Sequence, residues 1–335
     1  MTSKFPQTRL RRLRYHPRVR DLVRQTEFNV NDLVYPIFIR HGDGENTPIT
    51  SMPGLYQIPL CNLATEIQEI VALKIPAVLL FGLPAFKDGL GSDAFNPDGI
   101  VQQAIRSIKN IAPELLVISD ICCCEYTDHG HCGPIDDHTH HLDVNNDKTL
   151  EILQQQVISH AQAGTDMLAP SGSIDGMVGA IRTALDEHGF KHLPIFSYTI
   201  KYASSFYGPF REATQGAPKF GDRRTYQADP ANSNEAIHEG LLDIQEGADF
   251  LMVKPGLPYL DVIYRLKQQF PYMPLGAYQV SGEYAMIKAA AMKGWLDEKR
   301  VILESLVALK RAGADIIISY FAKDVARFLK YDDFR

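Results

Sequence analysis

Eight short runs of branched and aromatic residues, separated by stretches with helical spacing, constrain the fold of this chain more than any other feature. The runs are Leu33 to Ile39, Ala77 to Phe81, Leu115 to Ile118, Asp166 to Ala169, Pro194 to Tyr198, Phe250 to Val253, Leu275 to Val280 and Asp315 to Tyr320. Most are nearly continuous in apolar character, which marks strands buried on both faces of a parallel sheet. Between them, apolar residues recur three and four positions apart in Ala64 to Leu73, Ile100 to Ile111, Leu150 to Ala163, Asp175 to Glu187, Asn232 to Glu246, Tyr259 to Phe270, Glu283 to Met292 and Glu298 to Ala312. Gly164, Gly247 and Gly313 stand where helix C-caps belong, and Asn232-x-x-Glu235 has the form of a helix start. The alternation predicts a (β/α)8 TIM barrel over residues 31–335. An open doubly wound sheet is the competing arrangement, but the Gly-x-Gly-x-x-Gly fingerprint after the first strand is missing.

Residues 1–30 differ from the rest. They carry eight Lys or Arg against Asp21 and Glu27, a net +6; since the whole chain of 335 residues is −6, the remainder is −12. A basic segment beside an acidic body reads as an extended N-terminal arm that packs on a neighbouring copy, or as a nucleic-acid tail. The arm has few aromatics and no recognisable nucleic-acid-binding fold follows it, so oligomer contacts are the expectation. No apolar run reaches the roughly 18 residues needed to span a bilayer, and no secretory signal is evident, which predicts a cytoplasmic protein without membrane partners. Five cysteines, an odd number and mostly clustered, do not make a disulfide framework.

Four of those cysteines fall between Asp120 and Gly133. Cys122, Cys124 and Cys132 offer three soft ligands, and a zinc ion held by three protein groups keeps a fourth position for water or substrate. The spacing also admits a set of reduced, unliganded thiols near a strand end.

Lys201 and Lys254 each sit at or just past the C-terminal end of an expected strand. On the catalytic face of a barrel, burial and a second cation both push a lysine toward its neutral, nucleophilic form, so both amines are expected to be uncharged and able to form Schiff bases. A salt bridge at the rim is the plainer reading of either alone. Asp120, Ser171, Tyr278, Ser281 and Tyr320 are strand-end polar groups that can line the same cavity. Arg211 and Arg223 lie in one of two long connections, Cys122 to Thr149 and Tyr202 to Ala231, and arginine suits a carboxylate. Asp143-x-Asn145-x-Asp147 imitates a calcium loop but lacks its glycine and closing glutamate. His138, His140 and His141 read as polar surface residues.

Ser-Tyr-Thr-Ile-Lys201, Ser-Ser-Phe-Tyr-Gly-Pro-Phe-Arg211, Met-Val-Lys254-Pro-Gly and Tyr278-Gln-Val-Ser-Gly-Glu-Tyr284, together with the cysteine loop, closely resemble the signatures of the porphobilinogen synthase (5-aminolevulinate dehydratase) family, over nearly the whole chain. The resemblance implies condensation of two 5-aminolevulinate molecules to porphobilinogen with loss of two waters, a lyase step of haem and other tetrapyrrole biosynthesis. It implies Schiff bases at Lys254 for the propionate-side substrate and at Lys201 for the acetate-side one. It places Arg211, Arg223 and Gln227 at one substrate carboxylate, Ser281 and Tyr320 at the other, Tyr278 beside the substrates, and Asp120 and Ser171 in the proton transfers. Zinc at Cys122, Cys124 and Cys132, an allosteric magnesium at Glu239 between subunits, and a homo-octamer embraced by N-terminal arms complete what it implies. Cys123 would point away from the metal, and His131 would lie in its outer surroundings or act as a distant ligand. A class I aldolase with one Schiff-base lysine and a structural zinc is the alternative.

Overall fold

A computed structural model describes residues 4–136 and 142–331. Eight parallel strands form the centre: β1 Leu33–Arg40, β2 Ala77–Leu83, β3 Leu116–Ile121, β4 Met167–Pro170, β5 Phe196–Lys201, β6 Phe250–Lys254, β7 Leu275–Gln279 and β8 Ile316–Ser319. Each pairs with its sequence neighbours, β1 pairs with β8, and a bridge between Leu168 and Ile195 joins β4 to β5, so the sheet closes on itself. The closure excludes the open sheet. Strand residues are buried almost without exception, which explains their continuous apolar runs.

The surrounding helices are α1 Leu63–Ala72, α2 Ile100–Ile111, α3 Asn146–Ala163, α4 Met177–Glu187, α5 Glu235–Glu246, α6 Leu260–Gln269, α7 Ser281–Met292, α8 Glu298–Ala312 and α9 Ala322–Tyr331. Helix α2 shows how they are specified: Ile100, Val101, Ala104, Ile105 and Ile108 form one buried face. Two of the eight expected helices, α7 and α8, both lie between β7 and β8. The helix that follows β8, α9, was not among those expected, although Val325 and Ala326 pack it onto the barrel. Helix α5 starts three residues later than expected, because the Asn232 side chain accepts from the Asn234 and Glu235 N–H groups outside the helix.

One device recurs on the N-terminal face of the barrel. Gly164, Gly247 and Gly313 end α3, α5 and α8 with φ of 98°, 104° and 120°, as their C-cap positions require. Two residues later come Asp166, Asp249 and Asp315, whose carboxylates accept the N–H groups of Val117, Ile195 and Leu275 on the preceding strand or its lead-in. Lys109 and Lys267 pair with Asp166 and Asp315. Three Gly-x-Asp steps thus fix the stagger of neighbouring strands.

The arm extends from the barrel. Among its described residues up to Asn29 only Phe28 is buried, while Phe5, Leu10, Leu13, Tyr15 and Leu22 are exposed. No helix among the described residues is long and apolar enough to cross a membrane.

Candidate active site

Every residue expected at the barrel mouth lies at or beyond the C-terminal end of a strand, where barrel enzymes place their chemistry. Two long connections cover this face. The first, 122–145, follows β3 and includes a small ladder between Ile135–Asp136 and Asp143–Val144. Asp143 and Asn145 of the calcium-like stretch serve this ladder and the N-cap of α3, where Asn145 accepts from Lys148 N–H. The second, 202–234, follows β5 and carries a short helix, Gly208–Thr214. The two are stitched together: Lys219 N–H donates to His129 O, and Arg223 Nη2 donates to Gly130 O at 2.7 Å and Gly216 O at 2.9 Å. His131 lies between them with Nδ1 3.0 Å from the Tyr226 hydroxyl and Nε2 3.0 Å from Phe220 O. Both its ring nitrogens are occupied, so His131 braces the lid. His138, His140 and His141 lie outside the described residues.

Lys201 and Lys254 are register partners at the ends of β5 and β6. Their Nζ atoms lie 5.7 and 4.8 Å from the centre of the Tyr198 ring. Lys254 is further enclosed by Tyr278 at 4.4 Å, Phe210 at 5.2 Å and Tyr207 at 5.5 Å. Burial in this aromatic cage, then the nearby Lys201 charge, pulls Lys254 down to about 7. Lys201 departs from the expectation of a second neutral amine. Burial pulls it down, but the cysteine cluster (Cys132 first, then Cys122 and Cys124) and Asp120 outweigh that pull and raise it above its ordinary value. The two amines are thus shifted in opposite directions.

Lys201 Nζ donates to Ser171 O at 2.5 Å, and Ser171 Oγ donates to Asp120 Oδ2 at 2.9 Å. Burial and Glu125 lift the Asp120 carboxyl to about 8 against the pull of both lysines, and its Oδ1 is unpartnered. On the far wall the Tyr278 and Tyr320 hydroxyls meet at 3.0 Å. Ser281 is buried beneath the lid, accepting from Phe210 N–H and donating to Phe206 O.

Arg211 and Arg223 line the same cleft as Lys201, Lys254, Ser171 and Cys124. Burial and the Arg223 charge lower Arg211. The Nε atoms of both are buried and unpartnered, as are both amide atoms of Gln227. Buried polar groups are seldom left so, and the two unmet guanidinium Nε atoms that line this cleft indicate a polar ligand. Lys201, Lys254, Ser171 and Arg223 are all buried under the two connections. The lid is closed.

The Cys122, Cys124 and Cys132 sulfurs lie within 4.8 Å of one another, with Cys122 and Cys124 at 3.4 Å. Tetrahedral zinc with bonds of about 2.3 Å needs sulfurs about 3.8 Å apart, so the trio fits. Hydrogen bonding from Cys122 and Cys124 pulls the Cys132 thiol well down, while hydrogen bonding to Cys124 and Cys132 pushes Cys122 up. Cys123 is buried in the main core, apart from the trio.

Glu239 is not part of this cleft. It lines a separate cavity of about 340 Å³ with Asp175, Glu235, Asp243 and Glu246, where burial and those acids push it up to about 7. Tyr198, Tyr207, Phe210 and Glu125 were not singled out from the sequence; the density of aromatics in the Phe206 to Phe210 stretch of a loop was the available signal.

The family model for delta-aminolevulinic acid dehydratase matches residues 7–328. The dehydratases of Halalkalibacterium halodurans and Staphylococcus epidermidis are each 53% identical over 321 residues, covering 96% of this chain and 96% and 98% of theirs. The crystal structure of delta-aminolevulinic acid dehydratase (porphobilinogen synthase) from Toxoplasma gondii, in complex with its reaction product porphobilinogen, superposes with a TM-score of 0.93 at 42% identity, covering 96% of this chain and 91% of that one. With its signatures distributed around a closed barrel mouth, this chain belongs to the delta-aminolevulinic acid dehydratase family.

Proposed function

We propose that the barrel mouth condenses two molecules of 5-aminolevulinate to porphobilinogen with loss of two waters, each substrate held as a Schiff base, one on Lys254 and one on Lys201. The observation that carries this reading is the pairing of two buried lysines on adjacent strand ends, in a chain of this family. A class I aldolase needs only one such amine.

The two lysines enter the chemistry differently. Lys254, neutral near pH 7 in its aromatic cage, attacks the keto carbon of the propionate-side substrate directly; water leaves as the imine forms. Lys201 is shifted upward by the cysteine cluster, so its amine must give up a proton before it attacks the acetate-side substrate. Asp120 and Ser171, hydrogen-bonded to each other and reaching Lys201 through Ser171 O, are suited to take and return protons there. Arg211, Arg223 and Gln227, with their unmet polar atoms, hold one substrate carboxylate; Ser281 and Tyr320 hold the other. Cys122, Cys124 and Cys132 would hold a zinc ion, which supplies Lewis-acid polarisation or a bound hydroxide.

The acidic side chains of the cavity around Glu239 are oxygen donors, the chemistry of a hard cation, and the cavity is read as the allosteric magnesium site. The exposed apolar residues of a basic arm, set against an acidic body, fit a homo-octamer with each arm on a neighbour. A cytoplasmic location agrees with the clustered free thiols.

Borohydride reduction in the presence of 5-aminolevulinate, followed by peptide mapping, tests the assignment. Label is expected at Lys254 and Lys201. Turnover with no label at either lysine would overturn the Schiff-base roles.

A further inference from the structure

We infer that Lys87 is a positioning residue for substrate binding: it latches the lid helix Gly208–Thr214, and with it Arg211, closed over the barrel mouth. Lys87 lies in the connection after β2, far in sequence from the lid. Its Nζ donates to Thr214 O at 3.1 Å and Gln215 O at 3.0 Å. Gln57, on the short strand Tyr56–Pro59 that follows β1, adds a bond from Nε2 to Ala213 O at 2.7 Å. Three successive carbonyls at the C-terminal end of the lid helix are therefore met by side chains from two other parts of the barrel.

The need for such a latch is physical. A seven-residue helix is too short to be stable by itself. Its last carbonyls have no partners within the helix and form the negative end of its dipole, where an ammonium is favourable. Arg211 lies one turn before the latch, and its own carbonyl accepts from Gln215 and Gly216 N–H, so fixing Gln215 fixes Arg211. On its other side the Lys87 ammonium faces Glu125 and Cys124 of the cleft wall and Lys219 of the lid. It thus sits between the moving part and the fixed part of the site.

Opening is required because Lys201 and Lys254 are both buried beneath the lid, out of reach of a substrate from solvent. Of the lid's anchors, Ser281 and Arg223 belong to the proposed binding machinery, and Tyr207 encloses Lys254. Lys87 and Gln57 touch the lid only through its backbone. Their contribution is to the closed position, and through it to the carboxylate clamp; this last link rests on the assignment of Arg211 to a substrate carboxylate.

The test compares Lys87→Met and Lys87→Arg in the full-length zinc-loaded enzyme. Without substrate, amide hydrogen exchange over residues 208–217 is expected to be about tenfold faster in the Met variant, the scale of losing a charge-assisted pair of bonds. With 5-aminolevulinate, KM is expected to rise about fivefold to twentyfold while kcat changes by less than about twofold, the pattern of lost uniform binding. Arginine, which can donate to both carbonyls, is expected to restore both. Unchanged exchange, or no restoration by arginine, overturns the latch. Faster exchange with an unchanged KM upholds the latch and overturns the assignment of Arg211. Should Lys87→Met fail to fold, Gln57→Leu reads the same helix end, with smaller shifts of the same sign expected and no shift counting against the proposal.

Discussion

Lys201 shares a rung with Lys254 because β5 contains one residue more than β6 over the same span. Leu251 pairs with Ser197, but Val253 pairs with Ile200, and the following pair is Lys254 with Lys201. Ser197 and Thr199 both lie against Asp243 on α5, so they face outward, and Tyr198 between them faces in. Strict alternation would send Lys201 outward with Ser197 and Thr199. The bulge reverses its direction and turns it into the barrel beside Lys254.

Because the two amines share that rung, the charge of one governs the other. Replacing Lys201 with Met removes a cation that lowers Lys254, and its pKa rises from about 7. The sign follows: a lysine reacts when deprotonated, so the acid limb of Schiff-base formation at Lys254 moves to higher pH, by on the order of one unit. Lys201→Arg keeps the charge and should leave the limb in place. Borohydride trapping at Lys254 across pH 5 to 9, in all three proteins, measures this. An unmoved limb in the Met variant would show that the amines do not sense each other.

The thiol cluster makes a prediction that separates adjacent residues. Cys132→Ala removes one of three mutually close sulfurs and should strip zinc from the protein together with its activity. Cys123→Ser lies in the apolar core and should keep full zinc content while losing about 1–3 kcal/mol of stability, the cost of a buried hydroxyl without a partner. Metal analysis after dialysis reads both; equal zinc loss in the two variants contradicts the cluster as described.

The barrel was legible because parallel strands buried on both faces must be apolar throughout, and all eight strands appeared as such runs. The site was legible residue by residue through its motifs, and Lys201, Lys254, Asp120, Ser171, Arg211 and Arg223 do converge. What escaped was set by relations the sequence does not display. The bulge at β5 decides which way Lys201 points, and the cysteine cluster of the β3 connection shifts its titration upward. The aromatic cage around Lys254 needs Tyr207 and Phe210 folded back from the lid. Lys87 and Gln57 meet backbone carbonyls, which leave no trace in side-chain patterns. Helix α9 went unread although it repeats the apolar spacing of the others.

The Gly-x-Asp steps lie on the face opposite the chemistry and should affect stability alone. Asp315 accepts from Leu275 N–H at 2.8 Å and Lys267 at 2.7 Å. Asp315→Ala should cost about 1–2 kcal/mol, mainly through the unmet strand N–H, because the ion pair is partly exposed and worth little. Denaturant unfolding measures the loss, while kcat/KM should stay within about twofold of the parent. A large fall in kcat/KM at unchanged stability would mean that the two faces communicate.

The arm makes the last prediction. Up to Asn29 its only buried side chain among the described residues is Phe28, and it contributes Phe28 alone to the core. Its six net positive charges and its exposed Phe5, Leu10, Leu13, Tyr15 and Leu22 have no use within one barrel, whose remainder is −12. Removing residues 1–26 leaves Phe28 in place, so the barrel should fold and keep zinc. Sedimentation should then show a smaller assembly than the parent forms, and raised salt should shift the parent in the same direction, because part of the attraction is between charges that salt screens. A truncated protein with an unchanged sedimentation coefficient per subunit would mean that the arm does not hold the assembly together; lost RNA or DNA affinity in place of lost assembly would assign the arm to nucleic acid instead.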